Sequence, residues 1–413
     1  MSEKKQTLWT RDFTIITLGS VVSMFGNAMS GFALSLLVLD YTQSAFYYSI
    51  YIVLYTLPQL IMPVLSGALL DRFSRKKTIY TLDFLSAAIY AGAALLLRSG
   101  WFSFGWLAAG VFLVGSINSI YMVAYQSFYP LLITEGNYQK AYSIASVLET
   151  FSMVMIPVAT FFYNQVGIAP ILAVNAVCFF VAASLETRIR QKEEYVERRR
   201  TETSSRLRQM TEDIREGMVY LKEEKGLFAV AVYFTFSALM MGCTSVLTLP
   251  YFKLTFENGE YLYMVVFGMA TVGRGIAGMI HYRRPIPKER KYAIALAVYI
   301  ATSLIEGFLL YFPVPVMGVL MFASGVMGIT SYTIRVSATQ KYVPDERKGR
   351  FNGAFNMLNT VGSLTGEITA GALTNVIPTR VTVMLYGLIC ALAAVIFIGG
   401  NKSEVSRIYN TEE

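Results

Sequence analysis

Histidine, cysteine and charge are what this chain has least of, and each shortage closes off a class of chemistry. Its 413 residues contain one histidine, His281, too few to build a metal site. The three cysteines, Cys178, Cys243 and Cys390, fall inside apolar segments without zinc spacing and with no expected disulfide, so they read as buried small residues. No G-x-x-x-x-G-K-[ST] run occurs, which disfavours ATP-driven work within the chain. Gly273, Gly275 and Gly278 follow an apolar helix rather than a strand, so a dinucleotide loop is excluded by context. Nothing reads as an enzyme, and no metal or cofactor is expected. Charged residues reach only 15%, against roughly 25% in soluble domains, while hydrophobic residues make up 54%. That balance predicts an integral membrane protein.

Twelve apolar runs of about 20 residues or more are long enough to cross the hydrocarbon core as helices. They cover 12–39, 46–70, 77–98, 103–130, 140–165, 168–187, 227–252, 260–282, 291–312, 315–340, 351–376 and 379–400. With both termini placed in the cytoplasm, 30 of the 35 Lys and Arg residues lie on the inner side. Only Arg98, Lys253 and Arg380 lie outside, and Arg274 and Arg335 fall within spans. The positive-inside rule therefore fixes the orientation in a cell (inner) membrane, and the net charge of +8 is a topology signal rather than a nucleic-acid patch. No cleavable leader is expected, because residues 1–10 are polar and the first apolar run is too long for a signal-peptide core.

Eleven cations mixed with acids over residues 188–225 interrupt the apolar pattern. They divide the chain into a six-helix bundle over 1–187, a cytoplasmic linker over 188–226, and a second six-helix bundle over 227–413. Leu207, Met210, Ile214, Met218 and Leu221 recur at helical spacing, which predicts an amphipathic linker helix on the membrane surface. The first half of the linker reads equally well as a solvated connector.

The halves repeat: residues 126–157 and 340–367 each run from a helix end through a short polar loop into another helix. In the second, Asn352, Asn356, Asn359, Ser363 and Glu367 are spaced by 4, 3, 4 and 4, which puts them on one helical face. A polar stripe about 22 Å long faces either a water-filled cavity or a neighbouring helix, to which asparagine is glue. Shifted back 210 residues, the stripe falls on Tyr142, Ser146, Glu149, Met153 and Pro157. Glu149 is thus the first proton-coupling candidate and Glu367 the second, unless an arginine pairs with the carboxylate and silences it.

Arg274, between two glycines, is either a cavity cation or the partner of Glu367 or Glu149. Arg335 lies near the inner end of its span, where snorkelling is the alternative to function. Glu306 reads as structural, and Asp83, six residues past Lys77, is expected to pair with the basic loop. Asn118, Tyr121 and Tyr125 share one face of the fourth span, and Tyr48, Tyr51 and Tyr55 one face of the second. Each stripe is either ligand wall or packing, with membrane-interface tyrosine a further reading for the second span.

The stretch Gly67-Ala-Leu-Leu-Asp71-Arg72-Phe-Ser-Arg75-Lys76-Lys77 joins two of these runs. It resembles the loop between helices 2 and 3 of the major facilitator superfamily, G-x-x-x-D-R-x-G-R-[RK], with Ser74 at its second glycine. Residues 247–278, 212–221 and 343–351 resemble the drug-exporter-like branch that includes macrolide-efflux and enterobactin-exporter proteins. The resemblance implies an all-α membrane fold of twelve transmembrane helices in two pseudo-symmetric six-helix bundles. It implies a secondary active transporter that exports a drug-like, macrolide-like or siderophore-like molecule by alternating access and proton antiport, working as a monomer. Gly67, Asp71, Arg72, Arg75 and Lys76 would form the conformational-switch loop. Asn27, Asn118, Tyr121, Tyr125, Arg274, Asn356, Asn359 and Ser363 are the substrate-cavity candidates.

Three positions depart from the branch: Asn27 replaces an acid, Ile156 precedes Pro157 where glycine is expected, and Tyr282 stands where the first half has Asp71. The first two weaken a simple assignment as a proton-coupled drug antiporter and leave room for a receptor that no longer transports; import or lipid flipping by the same fold is a second transport reading.

Overall fold

The structure, a computed structural model, describes residues 7–70, 73–135, 137–191, 193, 212, 215–284 and 286–410, and every element in them is helical. The first six long helices are α1 (Arg11–Thr42), α2 (Ala45–Leu70), α3 (Arg75–Arg98), α4 (Phe104–Phe128), α5 (Tyr138–Val166) and α6 (Ile168–Glu186). After the linker come α7 (Lys225–Thr255), α8 (Gly259–Arg283), α9 (Lys291–Phe308), α10 (Val314–Tyr342), α11 (Asp345–Leu373) and α12 (Thr379–Ala393). A short α13 (Lys402–Tyr409) follows. Gly167, at φ +75°, is the only residue between α5 and α6, a left-handed joint that glycine adopts without steric cost.

Ten helices among the described residues are long and apolar enough to cross a membrane. The other two expected spans are α5 and α11, each 29 residues long. In α11 the charged start and the polar stripe dilute the apolar run. Leu95, Val319 and Val376 are 70%, 67% and 81% exposed, which suits lipid and would be costly against water.

The chain forms two units, residues 1–42 with 54–208, and residues 43–53 with 209–413. In unit 1, α1 packs on α5 and α6, and α3 on α4 and α6. In unit 2, α7 packs on α11, α8 on α10, and α9 on α12. Small residues set these crossings, since dispersion between closely approaching backbones replaces the hydrophobic drive that lipid removes. A Cβ on Gly115 of α4 would run into the Tyr55 carbonyl of α2, and one on Gly325 of α10 into the Ala270 carbonyl of α8. The two glycines are 210 residues apart, so the offset read from the sequence recurs in the packing. Gly362 and Gly366 of α11 meet the Thr235 and Leu239 carbonyls of α7 in the same way. The first part of α2 belongs to unit 2, where Ser49 rests on Gly371 of α11.

Of the linker, residues 215–223 are helical, and Leu207, Met210 and Ile214 lie outside the described residues. Gly217 fits under the Arg350 carbonyl of α11, and Tyr220 and Leu221 are buried. The membrane surface was the expected seat for the apolar face of this helix. Its described part instead packs on protein, because Gly217 lets the two backbones meet.

Candidate functional site

Four helices of unit 1 bring neutral polar groups together. Asn27 of α1 accepts a hydrogen bond from the Tyr90 hydroxyl of α3 at 3.4 Å and lies near the Tyr55 hydroxyl of α2. Asn118 of α4 donates to the Tyr55 hydroxyl at 3.3 Å. The close approach of α2 and α4 at Gly115, one turn before Asn118, puts that amide within reach of Tyr55. Tyr121 and Tyr125 continue the α4 face, stacked with centroids 5.8 Å apart, and Tyr125 stacks in turn on Tyr129 at 5.3 Å. Ser20 donates to the Tyr125 hydroxyl at 3.1 Å, and Ser23, which donates to the Ser20 carbonyl, lies near Tyr121, so α1 borders both rings. Asn27, Asn118, Tyr121 and Tyr125 are therefore gathered in one unit, each half-buried. Tyr55 and Tyr90 complete the cluster. Tyr55 stood in a stripe open to packing, interface or ligand readings, and Tyr90 gave no signal. Such a group can hydrogen-bond and stack an amphipathic molecule, and it holds no nucleophile.

Asp83 is placed differently from expectation. It lies more than two turns into α3, on the face against α6, and its carboxyl group is within hydrogen-bond reach of Glu186 at the end of α6. The basic residues at the start of α3 are engaged elsewhere. Arg75 donates to the Ser127 carbonyl at 2.9 Å and Lys76 to the Ile189 carbonyl at 3.1 Å. Glu193 accepts from the Arg75 and Lys76 amides at 2.9 and 3.3 Å and bonds Ser74, a carboxylate at a helix N-terminus. Asp71 and Arg72 lie outside the described residues, and Gly67 sits in the last turn of α2. Glu193 was one acid among many cations in the linker sequence, and nothing there marked it as a cap.

In unit 2 the α11 stripe divides. Asn352 accepts from Gln340 of α10 at 2.8 Å, and Ser363 donates to Glu367 at 3.2 Å. Glu367 is buried, Asn359 and Ser363 are half-buried, and Asn356 is exposed. Arg274 is exposed on α8, in electrostatic contact with Glu306 of α9, which accepts from Ser324 of α10 at 2.8 Å. Arg335 lies over Phe234, Phe355 and Tyr332 at 4.7, 4.8 and 5.7 Å, a guanidinium held by aromatic faces. Glu149 is a residue of α5 whose side chain lies outside the description. Among the described residues no group of three His, Cys, Asp or Glu is placed to hold a metal ion.

The family model described as Major Facilitator Superfamily matches residues 16–367 and 306–413. Macrolide efflux protein A of Streptococcus pyogenes is 28% identical over 230 residues, 55% of each chain, so the match spans about half of that relative. YkuC of Bacillus subtilis (strain 168), an uncharacterised transporter of MFS type, is 20% identical over 304 residues, 71% of this chain and 70% of that one. Two solved folds are similar over 95% of the chain. A bacterial homologue of the iron transporter ferroportin, in an inward-facing state, gives a TM-score of 0.67 at 15% identity and is covered to 100%. The nucleoside transporter NupG, as a D323A mutant, gives 0.62 at 12% identity and is covered to 99%.

Proposed function

Since the chain belongs to the Major Facilitator Superfamily and is a membrane transporter rather than an enzyme, we propose that it exports a small amphipathic organic molecule by alternating access. The observation that carries the cargo class is the uncharged cluster of Asn27, Tyr55, Tyr90 and Asn118, flanked by the stacked Tyr121 and Tyr125. Neutral donors and acceptors beside aromatic planes suit a molecule that is both polar and apolar. Export, and a macrolide-like cargo, rest on the similarity to macrolide efflux protein A. Proton antiport is the proposed energy source, with Glu149 first and Glu367 second as carriers. In unit 2, Arg274, Asn356, Asn359 and Ser363 are assigned to the cargo path. The loop from Gly67 to Lys76 is assigned the conformational switch, with Glu193 holding its α3 end. The chain is taken to act as a monomer in the cell membrane with both termini in the cytoplasm.

Binding tests the site directly. Purified protein in lipid nanodiscs is titrated with a labelled macrolide and a panel of amphipathic drugs. Asn27→Leu and Asn118→Leu should each weaken binding about tenfold, the equivalent of about 1.4 kcal/mol. The lipid-exposed Leu95→Ala should leave it unchanged. Wild-type affinity in both asparagine variants would remove the cluster from the cargo site.

A further inference from the structure

We propose that Asp83 and Glu186 form a proton-binding site inside unit 1, separate from the carboxylates assigned above to coupling. A second clause, which rests on the antiport reading, is that emptying this site is a further way, beside Glu149, in which protons act on unit 1.

The geometry carries the first clause. Asp83 is 2% exposed and Glu186 0%, and their carboxyl groups lie within hydrogen-bond reach of each other. Two carboxylates offer acceptors only, so a bond between them needs one proton. Oδ2 of Asp83 and both oxygens of Glu186 find no other donor among the described residues. The pair is also closed in: a Cβ on Gly19 of α1 would stand 3.1 Å from Oε1 of Glu186.

Among the described residues no compensating cation acts on Glu186, and Arg188, two residues past it, is exposed. From α4 come the phenols of Tyr121 and Tyr125, the latter accepting from Ser20 of α1. On α3 the cations sit at its ends, where Arg75 and Lys76 hold carbonyls, Lys77 is exposed and Arg98 closes the last turn. At the start of α1, Asp12 accepts from the Arg190 amide. A divalent metal fits poorly, because Mg²⁺ or Ca²⁺ takes about six to eight oxygen ligands and no third acid among the described residues joins the pair.

The pair joins α3 to α6, against which α1 also packs. When the proton leaves for water, two like charges remain in a dry contact, which must then part or admit water. Proton occupancy is in this way tied to the packing of α1, α3 and α6. The first two of these carry Asn27 and Tyr90.

Infrared difference spectroscopy on the full-length protein in nanodiscs tests the site, scanned from about pH 6 to about pH 9. The expected signal is the C=O stretch of one protonated carboxyl group that disappears on alkalinisation. It should survive Glu149→Gln and Glu367→Gln, vanish in the double variant Asp83→Asn with Glu186→Gln, and shift in Gly19→Ala. The amide pair keeps shape and hydrogen bonding, so the double variant should fold. If it does not, the wild-type spectrum with the two single variants still decides. Absence of a protonated carboxyl in wild type, its loss in Glu149→Gln or Glu367→Gln, or its persistence in the double variant overturns the site. In vesicles the double variant should lose gradient-driven accumulation, its ratio falling to one. Wild-type gradient dependence in that variant overturns the second clause alone. A wild-type protein that ignores the gradient defeats the antiport reading, while the infrared result still judges the site.

Discussion

Asn27 stands where the resembling exporters carry an acid, and the structure gives it two phenols in place of a cation. A neutral amide there needs no counter-charge, which fits an α1 with no arginine or lysine after Arg11. Neighbouring space also decides what each glycine is for. Gly115 admits the Tyr55 carbonyl, whereas Gly110, on the same helix, has nothing within 4 Å of where a Cβ would stand. Gly115→Ala should therefore destabilise the protein by about 1–3 kcal/mol through forced backbone shifts, and Gly110→Ala should be neutral or stabilising by up to about 1 kcal/mol. Melting temperatures in nanodiscs check both, and equal effects would refute the assigned crossing. Asn118 and Tyr125 could be read from their spacing on one helical face. Tyr90 and Glu186 could not. Tyr90 matters through a partner 63 residues away, and Glu186 falls inside the sixth apolar run with nothing in its spacing to mark it.

Among the elements, α3 is fixed by a cap and the linker helix by a close approach. Glu193 satisfies two otherwise orphan amides at the start of α3. Glu193→Ala should cost about 1 kcal/mol and speed hydrogen exchange at the first turn of α3, with later turns little changed. Uniform exchange along the helix would show that the cap does not hold it. The linker helix carries a 2.6 Å bridge from Glu216 to Arg350, but these side chains are 56% and 45% exposed. Such a pair contributes about 0–1 kcal/mol. Gly217, pressed on the Arg350 carbonyl, has no room for a side chain. Gly217→Val should thus undock the helix and raise its proteolysis, while Glu216→Ala should leave both unchanged. The reverse order would mean that charge seats the linker. The 3.6-residue apolar period showed that a helix forms here, but not what it covers, because that depends on a glycine whose partner backbone is remote in sequence.

For the molecule as a whole, apolar run length and the charge of the loops made a many-helix membrane protein in two halves plain, while the transporter class came only from the resemblance carried by Gly67–Lys77. The polar faces of α5 and α11 were visible as a repeat, and the glycine crossings of α4 and α10 follow the same offset. The proposed orientation rests on the loop charges. In a variant with the three cysteines replaced, Ser99→Cys should label from outside the cell and Ser403→Cys only after permeabilisation. The opposite pattern would invert the topology.

The most direct test of the central claim is uptake of a labelled macrolide into inverted membrane vesicles, with an imposed pH gradient collapsed midway. Wild type should accumulate the drug and release it when the gradient collapses. Asn118→Leu should accumulate little, and Glu149→Gln should lose gradient dependence while remaining inserted. Accumulation that ignores the gradient and both substitutions would contradict proton-coupled export through this site.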